Sequence, residues 1–273
     1  MFEKKRGGTH VGVILSFVIF VTFLIFIYTT IQPAVKLNKD KQIVLDLLKE
    51  EIISSVSAEL TNAVIKAKIT IEPPPTGMSI DCISLLSDGS PENFIAGIQG
   101  KSIVVRQIET STGIETIQPY LLSTSYLKIG LKSSISAGSS ADVSFKIDYA
   151  DEPFEPTGAV SCTSTKNLNY IATTPLSDNT YTIGFIKTSN YAFKTKVDEF
   201  KTSYEAGYNN LKQQLDIPSD TEFIFIFTDE ETGEIVQPAE KETRASIYSK
   251  EIPVQFINQI ASINSGTLTI KVW

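Results

Sequence analysis

One uncharged apolar stretch, residues Val11–Ile31, constrains this chain more than any other feature. Its 21 residues read VGVILSFVIFVTFLIFIYTTI, and their only polar side-chain groups are hydroxyls. A helix of this length spans roughly 31 Å, which matches the hydrocarbon core of a bilayer. Because apolar side chains occupy every side of such a helix, it has no polar face to present to water. The stretch therefore predicts a transmembrane helix over residues 11–31.

The charges around this stretch predict its orientation. Lys4, Lys5 and Arg6 precede it, and no comparable basic group follows it directly. By the positive-inside rule, residues 1–10 form a cytoplasmic basic N-terminus and the chain after Ile31 is extracytoplasmic. The stretch is longer than the apolar part of a secretory signal and lacks a small-x-small site behind it, so we expect it to stay as a signal anchor. These features predict a single-pass protein of the cytoplasmic membrane.

The chain beyond the anchor is acidic. The net charge of the whole chain is −7, and without Glu3 and the three N-terminal cations 21 basic and 30 acidic residues remain, a net charge of −9. An acidic surface is repelled by the phosphates of nucleic acids and by anionic lipid headgroups. We therefore expect the lipid bilayer as a partner of the apolar stretch, and no nucleic acid.

The chain has two cysteines, Cys82 and Cys162, and both lie on the predicted extracytoplasmic side. An even number of cysteines outside the cytoplasm favours a disulfide, which would close a loop of about 80 residues and stabilise the fold by roughly 4.5 kcal/mol. Two buried free thiols are the alternative. No cysteine pair has the close spacing of a structural zinc site.

Residues 32–71 are predicted to form an amphipathic stalk helix that continues the transmembrane helix. Pro33 either kinks this helix or marks a boundary, and the three prolines at 73–75 end it. A one-sided apolar stripe must pack on something, and both its own domain and other copies of the chain remain possible. The stripe recurs every four residues: Leu48, Ile52, Val56, Leu60 and Val64.

The remainder of the chain alternates in the manner of strands, apart from one helix. Residues 72–188 are predicted to form an antiparallel β-rich domain and residues 189–273 an α+β subdomain. The strands expected in the first are Ser102–Ile108, Tyr126–Lys132, Ala141–Tyr149, Ala159–Thr163 and Tyr181–Thr188. In the second we expect a helix over Phe193–Leu215 and strands over Glu222–Thr228, Ile235–Gln237, Ile247–Ile257 and Thr267–Trp273, with Glu222–Thr228 central and covered on both faces. The predicted fold class is a single-pass membrane protein with a long N-terminal α-helix followed by a β-rich α+β extracytoplasmic region.

The sequence offers no pattern for catalysis. The only histidine is His10, at the membrane entry, which excludes histidine-based triads and histidine-ligated metals from the extracytoplasmic region. No phosphate-binding glycine loop is present. We therefore expect no catalytic, cofactor-binding or metal-binding residues and no enzyme. Two acidic groups are candidates for calcium or acid–base chemistry, although solvated turns are the more ordinary interpretation: Asp148 with Asp151 and Glu152, and Asp229 with Glu230 and Glu231.

The N-terminus resembles a known processing signal. Lys4-Lys5-Arg6-Gly7, followed by the small residue Gly8 and the apolar stretch, is similar to the class III signal peptide of archaeal type IV pilin-like proteins. The resemblance implies cleavage after Gly7, so that Gly8 becomes the new N-terminus and the apolar helix stays as an anchor or a filament core. A long helix followed by a β-rich head is also similar to the pilin and pseudopilin plan.

The resemblance is limited to roughly the first 70 residues. Gly12 or Val13 stands where bacterial pilins carry a glutamate associated with subunit pairing, and a head of about 200 residues is more like a minor subunit. Two functions therefore remain open. The first is a membrane-anchored extracytoplasmic structural or binding protein without catalytic activity. The alternative is a pilin-like or pseudopilin-like subunit of a cell-surface filament or assembly apparatus, which would associate with other subunits through the N-terminal helix.

Overall fold

A computed structural model of the chain describes residues 8–74, 77–87, 94–109, 111–155, 158–172, 174–239 and 246–273. Within the first helix, side chains are described from Gly12 to Thr30 and from Lys41 onward. The described helices are α1 Gly8–Val56, α2 Phe94–Gly97 and α3 Lys194–Gln214. The described strands are β1 Ser57–Thr70, β2 Ile80–Leu86, β3 Ser102–Ile108, β4 Glu115–Gln118, β5 Tyr120–Leu122, β6 Tyr126–Ile135, β7 Ser140–Ala150, β8 Thr165–Tyr170, β9 Thr180–Phe193, β10 Phe223–Asp229, β11 Ile235–Val236, β12 Tyr248–Ile257 and β13 Ile263–Val272.

The helix α1 is one uninterrupted element of 49 residues, about 73 Å long at 1.5 Å per residue. It contains a segment, Gly12–Thr30, that is long and apolar enough to span a membrane, with a mean hydropathy of 2.5. We call Gly12–Thr30 the apolar segment and residues 57–273 the head. Because helical backbone continues through Pro33, this proline is not a boundary. A β-rich region follows α1, in agreement with the predicted order of elements.

The predicted stalk helix over residues 32–71 is wrong beyond Val56, because residues 57–70 form the strand β1. From Ala63 onward every second side chain of β1 is buried, namely Ala63, Ile65, Ala67 and Ile69. This period of two belongs to a strand, and the β-branched residues in the segment favour it. The four-residue stripe from Leu48 to Val56 continued by chance into Leu60 and Val64, which lie on β1.

Strand β1 lies in the middle of the main sheet, where it pairs antiparallel with β7 on one side and with β9 on the other. The expected boundary between residues 188 and 189 falls inside β9, so the two predicted subdomains share a strand. Hydrogen-bonded neighbours follow the order β11-β10-β13-β12-β9-β1-β7-β3-β4.

A second layer is formed by β2, β5, β6 and β8. One core lies between it and the main sheet, with Ile65, Ile83, Leu127 and Phe145 fully buried. The predicted strand Ala159–Thr163 is wrong: within the described residues, Ala159 makes an isolated bridge to Tyr120 and the strand begins at Thr165.

The other core lies where α1 and α3 cover β10, β12 and β13. Phe200 of α3 and Leu48 of α1 pack there with Phe225 of β10. The expected strand Glu222–Thr228 corresponds to β10, but the prediction that it is central and covered on both faces is wrong. The face of Phe223, Phe225 and Phe227 is buried, whereas Ile226 and Thr228 on the other face are only half-buried. The strand also lies second from the end of the sheet rather than at its centre.

Candidate functional site

The apolar segment is exposed on all its sides, and none of it is buried by the residues that the structure describes. Val13, Phe17 and Phe26 expose between 63% and 68% of their surface. The hydroxyl of Thr22 donates to the carbonyl oxygen of Val18 at 2.8 Å, as is common for hydroxyl residues in helices. The polar atom of that side chain is therefore satisfied inside the helix, which is what a hydrocarbon environment requires.

The second part of α1 has the opposite surroundings. Leu45, Leu48, Ile52 and Val56 are each at most 5% exposed and belong to the core that α1 shares with the head. The sequence left open whether the apolar stripe packs on its own domain or on other copies of the chain. At these four positions it packs on its own domain. One continuous helix thus has an apolar segment that is not buried by the described part of the chain and a second segment that packs into the core of the head.

Polar contacts hold the first turn of this second segment against the head. The ammonium group of Lys41 donates to the hydroxyl of Thr221 at 3.0 Å and to the carbonyl oxygen of Trp273 at 3.2 Å. One turn further along α1, Asp46 forms an ion pair with Lys250 of β12. The backbone of Trp273 pairs with Glu222 through two hydrogen bonds of 3.0 Å. Trp273 is therefore fixed beside the point where α1 enters the head.

The residues expected to determine topology and processing lie at or before Gly8, where the described part of the chain begins. Lys4, Lys5, Arg6 and Gly7 lie outside the described residues. Gly8 is the first residue of α1. The orientation and the cleavage after Gly7 remain predictions.

Cys82 and Cys162 are joined by a disulfide, which is one of the two arrangements that the sequence left open. The bridge ties β2 to the segment before β8. Beside it, the carboxylate of Asp81 accepts hydrogen bonds from the backbone N–H groups of Thr163 at 2.7 Å and Ser164 at 2.9 Å. These hydrogen bonds, first of all the one from Ser164, hold the pKa of Asp81 below its usual value.

The carboxylates of the first candidate acidic group, Asp148, Asp151 and Glu152, have separate surroundings and separate partners in the fold. Asp148 is fully buried, whereas Asp151 forms an exposed ion pair with Lys101 and Glu152 lies 3.5 Å from the ammonium of Lys196. Within the described residues, no set of three or more His, Cys, Asp or Glu side chains is placed to hold a metal ion.

The second candidate acidic group stabilises a turn. Asp229 accepts a hydrogen bond from the backbone N–H of Glu231 at 2.8 Å, in the turn between β10 and β11. The carboxylates of Glu230 and Glu231 accept hydrogen bonds from Thr267 at 2.8 Å and Asn264 at 2.6 Å. Each of the three carboxylates therefore has its own partner on the strand or turn beside it.

A buried ion pair between Arg106 and Asp148 is the main polar feature that the sequence analysis missed. Both side chains are at most 5% exposed, and Asn62 also donates to the Asp148 carboxylate. The guanidinium of Arg106 further donates to the carbonyl oxygen of Ile260 and to the hydroxyl of Ser262 at 3.3 Å. The pair thus joins β3 and β7 to the turn between β12 and β13. The available signal was Arg106 within the apolar strand SIVVRQI. Asp148 gave no such signal, because in VSFKIDY it alternates with the apolar residues on the same face as Lys146.

Burial raises the pKa of Asp148, while the positive charges of Lys146 and Arg106 and the hydrogen bond from Asn62 act in the opposite direction. Lys146 lies 3.8 Å from the carboxylate and also faces Glu115. Each charge in this group is thus paired with an opposite charge, which offsets the cost of burying Arg106 and Asp148.

Comparisons of the chain with protein-family models, with curated proteins and with solved structures found no match.

Proposed function

We propose that the protein is a membrane-anchored extracytoplasmic protein that serves a structural or binding role without catalysis. The observation that carries the proposal is the division of α1 into two environments. None of the apolar segment is buried by the described residues, whereas one face of the second segment is buried in the core of the head. In water such an exposed apolar surface would be strongly unfavourable, whereas in a bilayer it is the required one.

The rest of the molecule fits this role. The disulfide between Cys82 and Cys162 belongs to an oxidising compartment, and the basic residues before the apolar segment favour a cytoplasmic N-terminus. A helix that enters the head's core transmits the position of the anchor to the head without a flexible linker. The protein would therefore hold its β-rich head at a fixed height above the membrane.

The anchor is tested by placing a charge in the apolar segment. We expect Phe20→Lys, which puts an ammonium group near the middle of the predicted span, to release the full chain from carbonate-washed membranes or to prevent its accumulation there. Ile43→Lys is the matched control, because Ile43 lies on the same helix and is 58% exposed outside the apolar segment. It should fractionate as the wild type does. Equal fractionation of the two variants would contradict the proposal.

The orientation needs a separate measurement. Protease added to intact cells or spheroplasts should digest the head, while an epitope placed before Lys4 should be reached only after lysis. The reverse pattern would show that the head lies in the cytoplasm.

As a second candidate we propose a pilin-like subunit of a filament or assembly apparatus. The feature that favours it is the division of α1: its second segment packs in the head, and its apolar segment presents a surface that could pack beside the apolar segments of other copies. Mass spectrometry of the N-terminal peptide distinguishes the candidates, because processing predicts a mature chain that begins at Gly8. Gly7→Leu should then block the cleavage. An intact N-terminal peptide in cells that process other prepilins would reject the pilin-like candidate and leave the anchored protein.

A further inference from the structure

The main sheet opens between β9 and β12. Within the described part of the chain, these two strands pair only at Ala192 with Phe256 and at Phe193 with Ile257, and they diverge before those residues. The last turns of α1 cross this opening. A cavity of about 300 Å³ lies there, between the helix, the two diverging strands and the aromatic face of β10.

The inner wall of this cavity is apolar. Ile52 and Val56 of α1 form one side, and Phe225, Phe227 and Leu268 form the floor. All five side chains are at most 5% exposed, so they belong to the packed core and their positions are fixed.

The mouth of the cavity is polar but uncharged. Ser57, Asn190 and Gln255 lie there and offer a hydroxyl and two amide groups. Among the described residues, none that lines the cavity carries a charge. This is unusual for a chain in which a fifth of the residues are charged.

The size and the chemistry of the cavity distinguish it from a packing gap. The cavity opens to solvent at its polar mouth, and its volume equals the liquid volume of about ten waters, which is more than imperfect packing leaves. Apolar walls give those waters few hydrogen-bond partners, so an apolar molecule would displace them favourably. The volume stands at the lower end of the range for small-molecule sites.

We propose that this cavity binds a neutral small molecule that has a hydrocarbon or aromatic body and an uncharged hydrogen-bonding end. The body would lie against the phenylalanine floor, and the polar end would meet the amides of Asn190 and Gln255. A carboxylate or an ammonium ligand would be buried without an opposite charge, which is costly. The site rests on the binding role proposed above and names the class of ligand for it.

The test compares 1-octanol with octanoate on the full chain in lipid nanodiscs. Trp273 is the only tryptophan, so its fluorescence reports the thermal unfolding of the head. We expect 1-octanol to raise Tm in a saturable manner and octanoate to require at least about tenfold higher concentration for the same shift. Partition of the alcohol into the bilayer is common to all variants, so the comparison among them isolates the cavity.

Val254→Phe fills the cavity from β12, where Val254 is partly buried against the core. This variant should lose the effect of 1-octanol at least about tenfold. Leu131→Phe is the control, because it adds similar bulk at a partly buried position of the core between the main sheet and the second layer. Its Tm should respond to 1-octanol as that of the wild type does. If Val254→Phe does not fold, Ile53→Phe fills the same space from α1.

Three results would overturn the site: no saturable shift with 1-octanol, an equal shift with octanoate, or an equal shift in the filled variant. None of these would affect the membrane fractionation of Phe20→Lys, so a failure of the ligand site and a failure of the anchor are distinguishable.

Discussion

Arg106 and Asp148 show how single residues determine the arrangement of the head. Burying two charges costs solvation free energy, and the cost is offset only when each charge is paired and hydrogen-bonded. Here the guanidinium contacts the carboxylate of Asp148 on β7 and, in the turn between β12 and β13, the carbonyl oxygen of Ile260 and the hydroxyl of Ser262. An apolar pair could fill the same space, but it would not fix the turn between β12 and β13 against β3. We infer that the pair specifies this junction more than it stabilises the fold.

Removal of one partner should be severe. Arg106→Met leaves the Asp148 carboxylate buried with only Lys146 and Asn62 nearby, and we expect the free energy of unfolding to fall by about 3 kcal/mol. Chemical denaturation followed by Trp273 fluorescence measures the change. Lys101→Met is the matched control, because it breaks the exposed Lys101–Asp151 ion pair. That change should cost less than about 1 kcal/mol.

The double variant Arg106→Met with Asp148→Leu separates pairing from packing. Because neither charge then remains buried, we expect it to recover much of the stability that Arg106→Met loses. A double variant as unstable as the single one would show that the polar contacts of Asp148 with Asn62 matter more than the charge balance.

Asp81 gives a prediction about pH. Its folded-state pKa lies below the ordinary value of 3.8, so its carboxylate stabilises the fold above that value and loses this effect as the pH falls further. Asp81→Asn should therefore be less stable than the wild type at neutral pH, and the difference should narrow below about pH 4. Urea denaturation at several pH values measures the difference. A difference that does not change with pH would assign the effect to the loss of hydrogen-bond geometry alone.

At the scale of elements, the sequence was informative wherever one period held over a whole segment. The predicted strand Ser102–Ile108 coincides with β3, and the predicted helix Phe193–Leu215 differs from α3 by one residue at each end. In the turn between β6 and β7, Gly138 has a positive φ of 76°, which favours glycine. In these places burial, propensity and turn chemistry agree.

The change from α1 to β1 could not be predicted from the same signals. Between Leu48 and Val64 the apolar residues satisfy a helical period of four, while from Ala63 onward they alternate with a period of two. The strand is decided by its neighbours, since β7 and β9 supply its hydrogen bonds. Tertiary pairing of this kind overrides local propensity. The cavity escaped prediction for the same reason, because it depends on where β9 and β12 diverge.

The packing of α1 onto the head can be tested by comparing a buried and an exposed apolar residue of the same helix. Leu48 is fully buried and Ile43 is 58% exposed, although both are apolar and close in sequence. We expect Leu48→Ala to lower the free energy of unfolding by about 3 kcal/mol, because it opens a cavity in the core. Ile43→Ala should change it by less than about 0.5 kcal/mol. Equal effects would mean that the helix is not docked as described.

At the scale of the whole molecule, the continuous helix α1 fixes the distance between the apolar segment and the head. Lys41 lies eleven positions after Thr30, and helical backbone continues between them. These positions advance the chain by about 16 Å along the helix axis. Since Lys41 donates to the carbonyl oxygen of Trp273, the backbone of Trp273 is held at a similar distance from the apolar segment. The only tryptophan therefore lies on the side of the head where α1 enters, which would face the bilayer in the anchored protein that we propose.

This arrangement predicts the result of an energy-transfer experiment. With the full chain in vesicles that carry a dansyl group on a small fraction of the headgroups, Trp273 should transfer energy efficiently to the lipid label. Insertion of seven helix-forming residues after Asn38 should lengthen α1 by about 10 Å and turn the head by only about 20°. We expect the transfer to fall. A seven-residue insertion after Gly113, in an exposed turn of the head, is the control and should leave the transfer unchanged. If both insertions had the same effect, the helix would not be a rigid spacer between the membrane and the head.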